Sequence, residues 1–360
     1  MHMRRTRTIR GVGLLVAGTL ALAACSGGAS PSPSSAAPTS PPASDAPSAE
    51  PMPSELPGTK EFTIGFTSAG LSSAPFLAAI DALNNGGYTI TVQILDSSEL
   101  VTEGVSSGGF ALGSGANNSS MTAVEKGANL KVVVARVNNE WTLYARTDIT
   151  DCAGLGGQRL AIHSQGAVST AMVHNYVDTV CPGTEPNYVV IEGSNNRVAA
   201  MLADQIDASP LELSDSITIE AEAADRYHLI SSFAADLPDL QTTSVYVNGD
   251  FAAENPGSVL AVVKAVLEQH RMIDGDPAYL KSIAEEFVGD AINPDTIEEA
   301  AAKYVELGMF PTDGGLTQAN LEYTAEFFGP DGTVSTETLL ELDQFADLSF
   351  LSMALDELGG

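Results

Sequence analysis

The stretch that decides the fold runs Glu61-Phe62-Thr63-Ile64-Gly65-Phe66-Thr67, then Ser68-Ala69-Gly70-Leu71-Ser72-Ser73, then Ala74-Pro75-Phe76-Leu77-Ala78-Ala79-Ile80. Phe62, Ile64 and Phe66 alternate with small or polar residues, the period of a strand. The polar turn carries no periodicity. Pro75 suits the first turn of a helix, and Phe76, Leu77, Ile80 and Leu83 share one face of it. Asn84-Asn85-Gly86-Gly87 ends the helix, and Tyr88–Leu95 reads as a second strand. Strand, short loop, helix and strand make the unit from which parallel sheets are built.

The alternation continues outward. A short helix to Ser107, a strand at Phe110–Gly113, a helix after Asn117, an apolar β-rich run at Leu130–Val137 and a strand at Trp141–Arg146 follow. A second set has strands at Leu160–His163, Asn187–Ile191 and Ile206–Ala208, with helices at Gly166–Val180 and Asn195–Ala203. Tyr227–Phe233 and Thr242–Val247 add strands, and from Phe251 to Leu358 the pattern is helical. This predicts an α/β protein with two units of mainly parallel sheet flanked by helices, the helical C-terminal part returning to the first unit.

Upstream, Arg4, Arg5, Arg7 and Arg10 precede the apolar stretch Gly11–Leu22, the layout of an export signal. Leu22-Ala23-Ala24-Cys25 resembles the bacterial lipobox, which implies a signal peptide over 1–24 and lipid on Cys25. More than one acyl chain holds a protein at a membrane stably. Residues 25–58 are rich in Ser, Pro and Ala, and Ser26–Pro57 holds nine of the 19 prolines. Such a composition buries too little apolar surface to offset its ordering entropy, so a disordered tether is expected.

The formal charge is -30, and all four arginines of the export segment lie outside the expected mature chain. An acidity of this size argues against nucleic acid as a partner. Of the three cysteines, Cys25 is assigned to lipid. The pair Cys152 and Cys181, in an oxidising compartment, is expected as a disulfide.

The motifs now form a pattern. Ala74-Pro75-Phe76-Leu77-Ala78-Ala79 follows the opening strand and turn. Val105-Ser106-Ser107-Gly108-Gly109-Phe110-Ala111-Leu112-Gly113 precedes Ala123-Val124-Glu125-Lys126-Gly127-Ala128-Asn129-Leu130. Then come Leu155-Gly156-Gly157-Gln158-Arg159-Leu160-Ala161-Ile162 and Ala199-Ala200-Met201-Leu202-Ala203-Asp204-Gln205-Ile206-Asp207-Ala208. In order and spacing these resemble solute-binding proteins of ABC importers, of the group taking sulfonates, taurine, nitrate or thiamine-type pyrimidines. Gln205 stands where that group usually has glycine. The resemblance implies a two-lobed periplasmic-binding-protein type II fold, with lobe I from 59–145 plus 243–360 and lobe II from 146–242. It implies crossings near Glu140–Thr147 and Gln241–Val247, and a cleft that closes on ligand.

The geometry of open α/β sheets puts ligand in the same place, where loops beyond the strand ends converge and helix N-termini present free N–H groups. Those loops are polar and almost uncharged. They offer Ser68, Ser72 and Ser73; Asn117 and Asn118; Asn139; Ser164, Gln165, Gly166 and Ala167; Asn195; and Thr243. Arg197 is the basic residue near them, and Trp141, the single tryptophan, lies at a crossing. Each Ser or Asn could equally be a cap or turn residue. Ser164-Gln165-Gly166-Ala167 opens a helix directly after a strand, the arrangement that holds oxyanions. Gly104-Val105-Ser106-Ser107-Gly108 fits the G-x-S-x-G spacing, but it runs from helix to strand, the reverse of a hydrolase elbow. No enzyme activity, cofactor or metal is expected. The function expected is a lipid-anchored, extracytoplasmic, monomeric binding protein that passes a small solute to an ABC permease. A sulfonate-like anion leads; a thiamine-type pyrimidine, a flavin or another heterocycle, or a ligand-sensing surface role, are the alternatives.

Overall fold

Alternating strands and helices over 61–137 fold as read. The computed structural model describes residues 56–67 and 69–359, the side chain of Asp290 apart. Cys25, the segment 1–24, nearly all of the expected tether and Ser68 lie outside the described residues. The first sheet takes β1 (Glu61–Thr67), β2 (Thr89–Leu95), β3 (Leu112–Ala116) and β4 (Leu130–Val137), with α1 (Ala74–Asn85), α2 (Ser98–Ser106) and α3 (Asn117–Glu125) between them. The second takes β5 (Thr142–Arg146), β6 (Arg159–Ile162), β7 (Asn187–Val190), β8 (Ala208–Leu211) and β9 (Tyr227–Ser232). Its helices are α4 (Val168–Val180), α5 (Ser194–Leu202), α6 (Leu213–Ala223) and the short α7 (Phe233–Asp236). The chain then returns as β10 (Thr243–Asn248) to the first sheet.

The strand orders are β2-β1-β3-β10-β4 and β7-β6-β8-β5-β9. In each sheet four strands share a direction and one, β10 or β5, runs against them. The exchanged strand is thus the fourth in both, and the lobes repeat one plan. Because β5 pairs within the second sheet, the chain changes sheets at 138–141, upstream of the expected boundary at 145, and returns through 233–242.

Helices α8 (Gly249–Glu254), α9 (Pro256–Ile273), α10 (Pro277–Phe287), α11 (Ile297–Glu306), α12 (Gln318–Phe328), α13 (Leu342–Phe345) and α14 (Ser349–Leu358) form the tail. Val259, Val262, Val263 and Val266 of α9 join Ile64, Phe66 and Phe76 in the core of the first lobe. Edge strand β4 is covered: Ala135 N–H donates to Gly314 O at 3.0 Å and Asp347 N–H to Val132 O at 2.9 Å. That cover removes an open sheet edge.

β3 starts two residues later than expected. Phe110 is a packing plug: a Cβ added at Gly104 or Gly65 would come within 2.2 or 2.5 Å of its ring. α6 lies between two strands where no helix was expected. Cys152 and Cys181 are bonded, with Cα atoms 5.8 Å apart. In the chain-entropy model a loop of this size stabilises by roughly 3 to 4 kcal/mol.

Candidate functional site

The carboxyl ends of β1 and β3 face those of β6 and β8 across a cavity of about 50 Å³. Thr67, Ser98, Ala116, Arg136 and Thr243 line it from the first lobe; His163, Ala167, Ser169, Ser194 and Glu212 from the second; Trp141 lines it from the crossing. A wider surface groove of about 720 Å³ at α12 and α13 is lined by leucines and by Glu322, Glu326, Glu341, Asp343 and Asp347. It lacks converging donors, so the site is placed at the strand ends, where α/β sheets hold ligands.

Two buried arginines define the electrostatics. Arg136, next to last in β4, stacks its guanidinium 5.7 Å from the Phe66 ring centre. Its Nε and Nη1 have no hydrogen-bond partner among the described residues. Arg197 on α5 is fully buried and lies 5.8 Å from the Trp141 ring centre. Its Nε donates to Pro210 O at 3.0 Å and its Nη1 to Ile191 O at 3.2 Å, while Nη2 is likewise unpartnered among the described residues. Burial draws the Arg197 pKa down to about 10, so it stays charged at neutral pH; burial lowers Arg136 as well.

The neighbouring acids lean the other way. Burial, then the Glu212 carboxylate, pushes Glu140 up to about 8; burial, then Glu212, raises Asp215 to about 7. Burial raises Glu212 itself, against the pull of Arg136 and Arg197. Burial and then Arg197 hold His163 down to about 4, neutral at pH 7. Its Nδ1 accepts from Gly193 N–H at 3.0 Å. With Glu140 and Asp215 drawn toward the neutral form and Arg197 charged, the local field leans toward an anion.

The polar loops converge unevenly. Ala167, Trp141 and Thr243 line the cavity. Ser169 Oγ and Asn117 Oδ1 are buried without partners among the described residues. Asn117 Nδ2 donates to Gln241 O at 2.8 Å. Ser73 Oγ closes its own turn on Gly70 O at 2.6 Å, and Ser72 bonds Glu140. Asn139 joins the two crossings, donating to Phe233 O at 2.9 Å and Leu237 O at 3.2 Å. Asn195 and Gln165 are exposed; Asn195 Oδ1 accepts from Asn196 N–H at 2.9 Å, a turn contact.

The oxyanion-type loop holds a protein group. Glu99 Oε1, in the first turn of α2, accepts from Gly166 N–H and Ser164 Oγ, each at 3.0 Å. Asn118 Nδ2 and Ser119 Oγ donate to Gly166 O at 2.8 and 3.0 Å. His163 bonds the backbone of Asp96. Ser164 and Gly166 therefore bind the opposite lobe.

Sequence reading missed Arg136, Glu212, Ser169 and Glu99. A charge near the end of an otherwise apolar strand marks Arg136; an acid between strand and helix marks Glu212. Ser106 Oγ donates to Thr102 O at 2.7 Å inside α2, so the G-x-S-x-G serine closes a helix turn and Gly104 makes room for Phe110. Among the described residues, no group of three or more His, Cys, Asp or Glu side chains is placed to hold a metal, and no helix is long and apolar enough to cross a membrane.

The family model described as NMT1/THI5 like matches residues 87–278. No curated protein matches the sequence significantly. The ligand-binding component of an ABC-type import system from Staphylococcus aureus, with zinc bound, is 13% identical with TM-score 0.65, covering 82% of this chain and 98% of its own. The nitrate-binding protein NrtA of Synechocystis PCC 6803 is 13% identical with TM-score 0.66, over 84% and 90%. The alkanesulfonate-binding protein SsuA of Xanthomonas axonopodis pv. citri, bound to MOPS, is 15% identical with TM-score 0.62, over 83% and 99%. At these identities the likeness shows the fold, the two-lobed binding-protein architecture.

Proposed function

We propose, since this chain belongs to the NMT1/THI5-like family, that it is the solute-binding component of an ABC importer. It takes a small organic anion of the sulfonate kind in the cleft and passes it to a membrane permease. The motif at Cys25 supports a lipid anchor that holds it, as a monomer, at the extracytoplasmic face.

One observation carries the choice of ligand. Arg136 lines the cavity and Arg197 is buried against its lining residue Trp141, and both keep unpartnered N–H groups among the described residues; a buried guanidinium donor left unpaired is costly. An oxyanion bound there satisfies both. Burial draws Glu140 and Asp215 toward the neutral form, which leaves less acidic charge to offset the arginines. A heterocycle stacked on Trp141 is less favoured, because Arg197 already occupies one approach to that ring.

The test is a thermal-shift panel on the full chain with alkanesulfonates, nitrate, aminopyrimidines and flavins. Ligand binding to the native state raises the melting temperature with concentration. An anion from the panel should do so. Stabilisation by uncharged heterocycles alone would overturn the choice.

A further inference from the structure

We infer that Glu99 is a latch between the lobes, a resident carboxylate that fills the oxyanion-type turn ahead of α4 and helps hold the cleft shut. The turn is gripped from both sides. Its N–H and hydroxyl are held by Glu99 Oε1 at 3.0 Å each, and its carbonyl at Gly166 receives Asn118 and Ser119. The α4 N-terminus favours a negative charge at this spot, and a carboxylate accepting two donors forms charge-assisted bonds. Gly166 is fitted to the contact, since an added Cβ would meet Glu99 Oε1 at 2.5 Å.

The same carboxylate carries the means of release. Its other oxygen, Oε2, is buried without a hydrogen-bond partner among the described residues. Closing therefore gains two charge-assisted bonds and strips water from one oxygen. Opposing terms of similar size suit a contact that must make and break. The latch also takes this turn out of use by the solute, whose anionic end is left to the arginines. A solute then shifts an equilibrium that the protein already biases toward closure.

This rests on reading the cleft as a solute site, but its test needs no solute. Hydrogen exchange is followed in the full chain for wild type, Glu99→Ala and Glu99→Gln. In Glu99→Ala, cleft segments that do not touch Glu99, 115–117 in the first lobe and 193–197 in the second, should exchange roughly tenfold faster or more, as a lost latch opens the lobes. Core segments 132–134 and 160–162 should keep wild-type rates. Glu99→Gln, whose amide oxygen still accepts both bonds but without the charge, should fall between wild type and Glu99→Ala. Wild-type rates at 115–117 and 193–197 in Glu99→Ala would overturn the latch, as would equal acceleration in both variants. Failure of every compound in the thermal-shift panel would count against the solute reading instead and leave these rates untouched.

Discussion

Arg136 is the next-to-last residue of a strand whose other buried residues are Leu130, valines and an alanine, and no protein acceptor among the described residues meets its Nε or Nη1. Replacing it with methionine keeps the length and the contact with Phe66 but removes the donors. Arg136→Met should weaken binding of the responding anion about tenfold to a hundredfold, the worth of one charge-assisted hydrogen bond, as read by calorimetry. Unchanged affinity would remove Arg136 from the site. Glu140 makes a second prediction. Its folded pKa, about 8, lies above the ordinary value of 4.5, so the native state binds its proton more tightly than the unfolded state does. Its contribution is fully present below pH 4.5 and is lost as pH rises through 8. Glu140→Gln should therefore lose less stability than wild type between pH 5 and pH 8 in urea titrations; parallel pH profiles would contradict this. Arg197 and Trp141 were legible because each is a rare residue beside a polar loop. Arg136 was hidden because an apolar run was read as a whole, and Glu212 because the segment around it carries no strong period.

At the scale of elements, most strands and helices were legible because their periods are strong: Phe62, Ile64 and Phe66 face the core as the alternation requires. The misplaced start of β3 shows what periodicity leaves out. Phe110 is apolar and adjoins the strand, yet its ring packs over nearby Gly104 and over Gly65, which is distant in the chain. Gly104→Ala should destabilise by about 1 to 3 kcal/mol, the usual cost of overpacking, since its methyl would meet that ring. A urea midpoint equal to wild type would show that the ring moves aside. The place of the Ser164–Ala167 loop between strand and helix points to a holder of the solute's oxyanion, whereas Ser164 and Gly166 meet the Glu99 carboxylate. Which anion it holds could not be read, because Glu99 approaches from the other lobe, 67 residues away from Gly166.

For the whole molecule, the repeated strand order explains how two lobes share one cleft. Each lends a strand inserted against the direction of its sheet, and both crossings pass beside the cavity, where Asn139 ties one to the other. The tail spans both lobes: α11 meets α6 through the Thr218 and Thr296 hydroxyls, which share a hydrogen bond at 3.0 Å, the latter just ahead of the helix. Such an arrangement predicts that solute capture is felt at the crossing. Trp141 is the only tryptophan, lies at that crossing and lines the cavity, so tryptophan emission, excited where tyrosine does not absorb, reports on this site alone. The most direct measurement is a fluorescence titration of the full chain with whichever panel anion raises the melting temperature, repeated with Arg197→Met. A saturable change in Trp141 emission in wild type, lost or shifted to at least roughly tenfold higher concentration in Arg197→Met, is the result predicted. Thermal stabilisation by that anion with no change in emission, or with the same titration curve in Arg197→Met, would contradict binding in the cleft.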